Sequence, residues 1–507
     1  MEHVVTHTPD QSDVVLHQVG SPQGGTPSAR AALEGEARGR AGESGGGREA
    51  VRSLYIHTPF CVHKCHYCDF YSFVDKKDQQ AAFADRLIEE LRGLSVHACG
   101  ADGTPRPLRT IFVGGGTPSL MRVELWERVL KAMAEVFDLS MIRAAADGAG
   151  LDRRAGVALN SGGGGGGELR DRPLSAVAPG AEFTVECNPE STSAELMALL
   201  RQFGVGRVSV GAQSFNPRHL KTLERWHDPA NVQRAIELAR AAGIGRQSVD
   251  LIYGVPGQTL AEWASDLETA LGLNTTHLSC YNLTYEATTA MTARLRAGEF
   301  VAVEDEVEAD MFEMTGATLA TAGLRRYEVS NYAVPGQESR HNLAYWWHEQ
   351  WLAAGPSASG HVYASGGGSL RDAGSGGAHV EASGGGEFAR AGHRWKNRPA
   401  LAQYLDFSDG GYAPVTGYEP PDPRRAVRER LMTGIRLCDG VEVGAACGAV
   451  GEVAGAGAAT AWRREIDELV GDGLLVIRGA RVMVTQRGWL VADFIAKRLM
   501  RAVEDVR

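Results

Sequence analysis

Ser53-Leu-Tyr-Ile-His-Thr-Pro-Phe-Cys61-Val-His-Lys-Cys65-His-Tyr-Cys68-Asp-Phe70 decides how this chain is read. It begins as a short apolar β-type run and passes through Pro59 into a polar loop that carries three cysteines. Thiolates at this spacing can wrap one face of an iron–sulfur cube, for which thiolate is the natural ligand. A four-iron cube held by three thiolates leaves one iron open to a small chelating molecule. Spacing alone also leaves a structural zinc site open, because His57, His63 or His66 could complete a tetrahedral set.

Outward from this stretch the pattern is regular. Strand candidates Leu54–His57, Thr110–Val113, Phe183–Cys187, Val208–Gly211, Val249–Tyr253 and Leu278–Leu283 alternate with helical patterns. Those patterns lie near Ala81–Leu94, Val123–Phe137, Ala194–Phe203, Ala230–Ala242 and Leu260–Leu271. Strand–helix alternation predicts an α/β chain of right-handed βαβ units with a parallel sheet. Curled, that sheet is a partial (β/α)6 TIM-type barrel, whose reactive face lies at the C-terminal ends of its strands. Residues 304–322 read as a further helix. From about Asp422, helical runs, two short β-type runs (Gly473-Leu-Leu-Val-Ile and Arg481-Val-Met-Val-Thr) and a last helix over Trp489–Met500 predict a small winged-helix-like α+β domain.

The expected organisation is therefore an extension over 1–50, a barrel core over 51–290, a middle segment over 291–420 and a C-terminal domain over 421–507. Residues 1–50 lack apolar periodicity and read as disordered. Two Gly-, Ala- and Ser-rich stretches, 144–180 and 365–386, read as flexible insertions.

Acidic residues outnumber basic ones, 62 to 52, which argues against a nucleic-acid partner. No run of apolar residues is long enough to span a bilayer. Three of the eight cysteines cluster and five are scattered, a pattern of a metal site in a reduced compartment and not of a disulfide framework. The N-terminus lacks an apolar signal region, so a cytoplasmic location is expected. The Ala-, Gly-, Ser- and Arg-rich stretch 26–50 leaves an organelle open.

Gly114-Gly-Gly-Thr-Pro-Ser119 follows the second strand, and glycine lets backbone approach a ligand without Cβ interference. Glu186, Gln213 and Asp250 fall at or near the ends of consecutive strands, where a ligand laid across a barrel mouth would be held.

In order, YIHTPFCxxxCxYCDF, GGGTPS, ECNPE, GAQSF, LERWH and DLIYGVPGQT resemble the HemW heme chaperones. These are radical S-adenosylmethionine (SAM) proteins related to oxygen-independent coproporphyrinogen III oxidase. The resemblance covers about 53–363 and, more loosely, 393–507. It implies a [4Fe-4S] cluster on Cys61, Cys65 and Cys68, and SAM held by Tyr55, Tyr67, Gly115, Gly116, Thr117, Glu186, Gln213, Arg225 and Asp250. The oxidase signature has a further cysteine two residues after the third, where this chain has Phe70. His341-Asn342-Leu-Ala-Tyr345-Trp346 matches the HNxxYW motif associated with heme. On this reading His341 or His348 meets the heme iron, while Tyr327, Tyr332, Tyr345, Trp346, Trp347 and Trp351 form a slot. Arg325, Arg326 and Arg340 would meet the propionates. The implied function is to bind heme and deliver it to an acceptor protein, with a reductant such as ferredoxin or flavodoxin. The rivals are decarboxylation of coproporphyrinogen III and another radical SAM reaction.

Overall fold

The computed structural model describes Arg30, Leu174 and residues 49–149, 180–364 and 388–504. The expected extension over 1–50 and the insertion over 365–386 fall almost wholly outside them. So does most of the stretch 144–180. Its first residues differ from expectation, because they continue the helix Ser140–Ala149, with Ile142 and Ala146 buried.

Six parallel strands pair in chain order: β1 (Ser53–Thr58), β2 (Thr110–Gly115), β3 (Glu182–Cys187), β4 (Arg207–Gln213), β5 (Arg246–Tyr253) and β6 (His277–Asn282). Alternation within each strand explains the barrel. Leu54 and Ile56, Ile111 and Val113, Val208 and Val210, and Val249 and Leu251 are buried in the apolar core. These residues pack under helices such as Gln80–Leu94 and Val123–Val136. Each large apolar side chain buried this way contributes roughly 1.5–3 kcal/mol. The alternate residues, Tyr55, Phe112, Glu186, Ser209 and Asp250, line a cavity inside the sheet. The partial parallel barrel expected from the sequence is present, followed by a C-terminal α+β unit.

The sheet is longer than its six-strand core. β7 (Arg325–Arg326) and β8 (Asn331–Ala333) add antiparallel beyond β6, and β9 (Leu352–Ala354) adds parallel beyond β1. A separate antiparallel sheet joins β10 (Ser359–Tyr363), β11 (Gly392–Asn397) and β12 (Val415–Glu419). The stretch 365–386 thus lies in the connection between two paired strands, with Tyr363 opposite Gly392. At the C-terminus, helices Pro423–Gly434, Val443–Ala454 and Ala456–Gly471 precede the hairpin Leu475–Arg478 and Arg481–Val484. Helix Ala492–Arg501 follows. Among the described residues no helix is long and apolar enough to cross a membrane.

Candidate cofactor cavity

Inside the curled sheet lies a cavity of about 390 Å³, within the size range of small-ligand sites. The three cysteines, the nine residues expected at SAM and His341 all border it, from Tyr55 on β1 to His341 far along the chain.

The cysteine loop forms the rim. Cys68 N donates to Cys65 O at 3.2 Å. Lys64 Nζ turns back onto Phe70 O and onto Ser72 Oγ at 3.2 Å, closing the loop on itself. Thr117 Oγ1 lies 3.6 Å from Cys61 Sγ, and Arg225 Nη1 lies 3.7 Å from Cys65 Sγ. Burial pushes the Cys61 thiol up, and the Cys68 thiol up to about 12, so a bound metal would have to displace their protons. Among the described residues no three Cys, His, Asp or Glu side chains stand together closely enough to hold a single metal ion. A soft thiolate set at the rim of a cavity suits an iron–sulfur cluster.

The glycine turn follows β2 and packs under this loop. Gly116 N donates to Thr58 O at 2.6 Å, and Thr117 N to Phe60 O at 2.7 Å. A Cβ at Gly116 would stand 2.7 Å from Phe60 O and 2.8 Å from Thr58 O. Gly115 has φ +102, and a Cβ there would meet the His57 ring at 2.5 Å. Backbone therefore runs here where no side chain fits.

The strand ends supply the polar wall. A Cβ at Gly114 would stand 2.9 Å from the Glu186 carboxyl group, so glycine on β2 makes room for Glu186 on β3. Gln213 sits at φ +64 beside a register shift at the end of β4. That conformation costs a non-glycine residue about 1–3 kcal/mol. Arg225 Nη2 donates to Gly211 O at 3.0 Å, and its Nε has no partner among the described residues. Asp250 accepts from Ser209 Oγ at 3.0 and 2.9 Å. Burial pushes its carboxyl up against those bonds. Tyr67 packs with Leu223, Ile252 and Met291 beside the rim. The sequence reading missed Phe112, Ser209 and Tyr281, which also line the cavity. Inward alternation on each strand was the signal for them.

The cavity floor comes from a distant segment. Helix Arg340–Trp346 is capped by Ser339, whose Oγ accepts from Asn342 N. His341 is fully buried. One ring nitrogen bonds Thr110 Oγ1 at 2.9 Å and the other bonds Tyr345 Oη at 2.7 Å. Its ring stacks near Phe112 and Tyr55, and burial lowers its pKa to about 3, so it is neutral.

A Radical SAM superfamily model matches residues 55–270, and a HemN C-terminal domain model matches 422–491. The chain is 32% identical over 448 residues to the heme chaperone HemW of Mycobacterium tuberculosis, covering 88% of this chain and 94% of that protein. The chain belongs to the HemW family. The Escherichia coli HemW is 35% identical over 311 residues, covering 61% of this chain and 70% of that protein. In fold, the chain matches the solved radical SAM coproporphyrinogen III oxidase HemN of Escherichia coli. The TM-score is 0.65 at 19% identity, covering 89% of this chain and 91% of that one.

Against the HemW motif, the expected heme slot needs correction. Of its six aromatics, Tyr345 and Trp346 reach the cavity. Tyr327 bonds His277 Nε2 at 2.9 Å, and Tyr332 is buried on β8. Trp351 donates from Nε1 to Ser359 O at 2.7 Å, while Trp347 is exposed. The physical reason is local structure: strand and helix periodicity turn these side chains to different sides. Arg326 stacks on Phe312 at 3.9 Å and near Trp489, and is not free for a propionate. His348 Nε2 bonds Glu429 at 2.8 Å, away from the cavity.

Proposed function

We propose that this HemW-family chain binds heme and delivers it to an acceptor protein, with a [4Fe-4S] cluster on Cys61, Cys65 and Cys68 and SAM across the strand ends. The observation that carries this reading is convergence. Cysteine loop, glycine turn, three strand-end polar residues, Arg225 and the HNxxYW helix share one cavity although they span most of the chain. The cluster, when bound, supplies an open iron for SAM and accepts an electron from a reductant such as ferredoxin or flavodoxin. Gly115, Gly116 and Thr117 bring backbone to the polar end of SAM. Glu186, Gln213 and Asp250 suit its amino and hydroxyl groups, and Arg225 suits a carboxylate. His341 offers a neutral imidazole to heme iron once the Tyr345 hydrogen bond is released. Phe70 stands where the oxidase signature has cysteine, which favours the chaperone over its enzymatic rival.

Anaerobic reconstitution followed by an optical spectrum with and without hemin tests this. About four irons per chain are expected, lost in Cys61→Ala, Cys65→Ala or Cys68→Ala. Hemin should bind, Tyr345→Phe should alter its Soret band through His341, and coproporphyrinogen III should yield no protoporphyrinogen. Tightly held zinc, or product formed in a Cys61-dependent way, would refute the reading.

A further inference from the structure

A second cavity, of about 340 Å³, shares Cys68, Asp69, Phe70 and Ser72 with the first. Its other side is built by Ser357, Lys396 and Pro399, next to the antiparallel sheet that sequence periodicity did not announce. Two lysines border it, and they are not equivalent. Lys64 is spent on closing the cysteine loop through Phe70 O and Ser72 Oγ. Lys396 lies half-buried on β11 and, among the described residues, has neither a carboxylate partner nor a side-chain hydrogen bond. Its charge is felt inside the cavity. Burial first, then Lys396 and Lys64, lower the pKa of His57 to about 4, so the imidazole stays neutral. Asp69, on the rim, is held by the Thr288 hydroxyl. A half-buried cation without an anion, beside Phe70, Tyr71 and Pro399, suits a flat apolar body that carries a carboxylate.

We infer that Lys396 anchors a carboxylate arm of the tetrapyrrole in this second cavity, beside the cysteine loop. The inference rests on the heme-binding reading above and supplies the propionate partner that Arg326, stacked on Phe312, does not. It places part of the cargo against Cys68, Asp69, Phe70 and Ser72, which also wall the cofactor cavity.

The test uses the full chain with reconstituted cluster, titrated with hemin and with hemin dimethyl ester, whose arms carry no charge. Wild type should bind hemin about tenfold more tightly than Lys396→Gln does, the scale of one charge-assisted hydrogen bond. Lys396→Arg should retain most of the affinity, and the ester should bind wild type and Lys396→Gln alike. Equal iron content and melting temperature in both variants exclude misfolding. Equal hemin affinity in wild type and Lys396→Gln overturns the inference while heme binding stands. No hemin binding by wild type sinks the heme reading and this inference with it.

Discussion

Glu182→Gln should destabilise the barrel and loosen the cavity floor together. Glu182 opens β3 and is fully buried. Its Oε2 accepts from Arg207 Nε at 3.1 Å and Nη2 at 3.0 Å, and Arg246 stands at 3.9 Å. Arg207 also donates to Gln337 O at 2.8 Å and Glu338 O at 3.2 Å, directly ahead of the HNxxYW helix. Burial alone would raise the Glu182 pKa, but Arg207, Arg246 and Arg340 outweigh it and lower it from 4.5 to about 2. That drop is worth roughly 3 kcal/mol, in line with the roughly 3–5 kcal/mol lost when one partner leaves a buried ion pair. The folded-state value lies below the unfolded one. The stabilisation is therefore fully present above about pH 4.5 and is lost as pH falls toward 2. Urea denaturation of wild type and Glu182→Gln at pH 7 should differ by about 3–5 kcal/mol. The gap should narrow as pH drops below about 4.5. A difference under about 1 kcal/mol, or one that ignores pH, would show that the three arginines are neutralised in some other way.

Two further substitutions probe the cofactor cavity. Asp250→Asn should leave iron content intact while weakening, by about tenfold, the SAM-dependent change in the reduced cluster's paramagnetic resonance signal; an unaltered titration would remove Asp250 from the SAM site. Gly116→Ala forces a methyl group against Phe60 O and Thr58 O. It should cost about 1–3 kcal/mol in thermal stability and blunt the same response, and a variant as stable as wild type would show that the turn has slack.

What the sequence alone determined is local and periodic. CxxxCxxC, the glycine turn and the strand-end residues were legible because each depends on spacing within one βα unit. Six strands and their helices were legible because alternation distinguishes the outward-facing Leu54 and Ile56 from the inward-facing Tyr55. Tertiary structure decided what periodicity does not encode. β8 and β9 are three residues each and exist because β6 and β1 offer open edges. The antiparallel sheet pairs residues on either side of 365–386, and it carries Lys396 to the second cavity. Composition showed aromatic density over 326–351 but not direction. Chain folding sent Tyr345 and Trp346 to the cavity and Tyr327 and Trp351 into the core. His341 reaches the floor because Glu182 and Arg207, remote in sequence, hold the segment ahead of it, a charge balance that exists only once the barrel has closed around it.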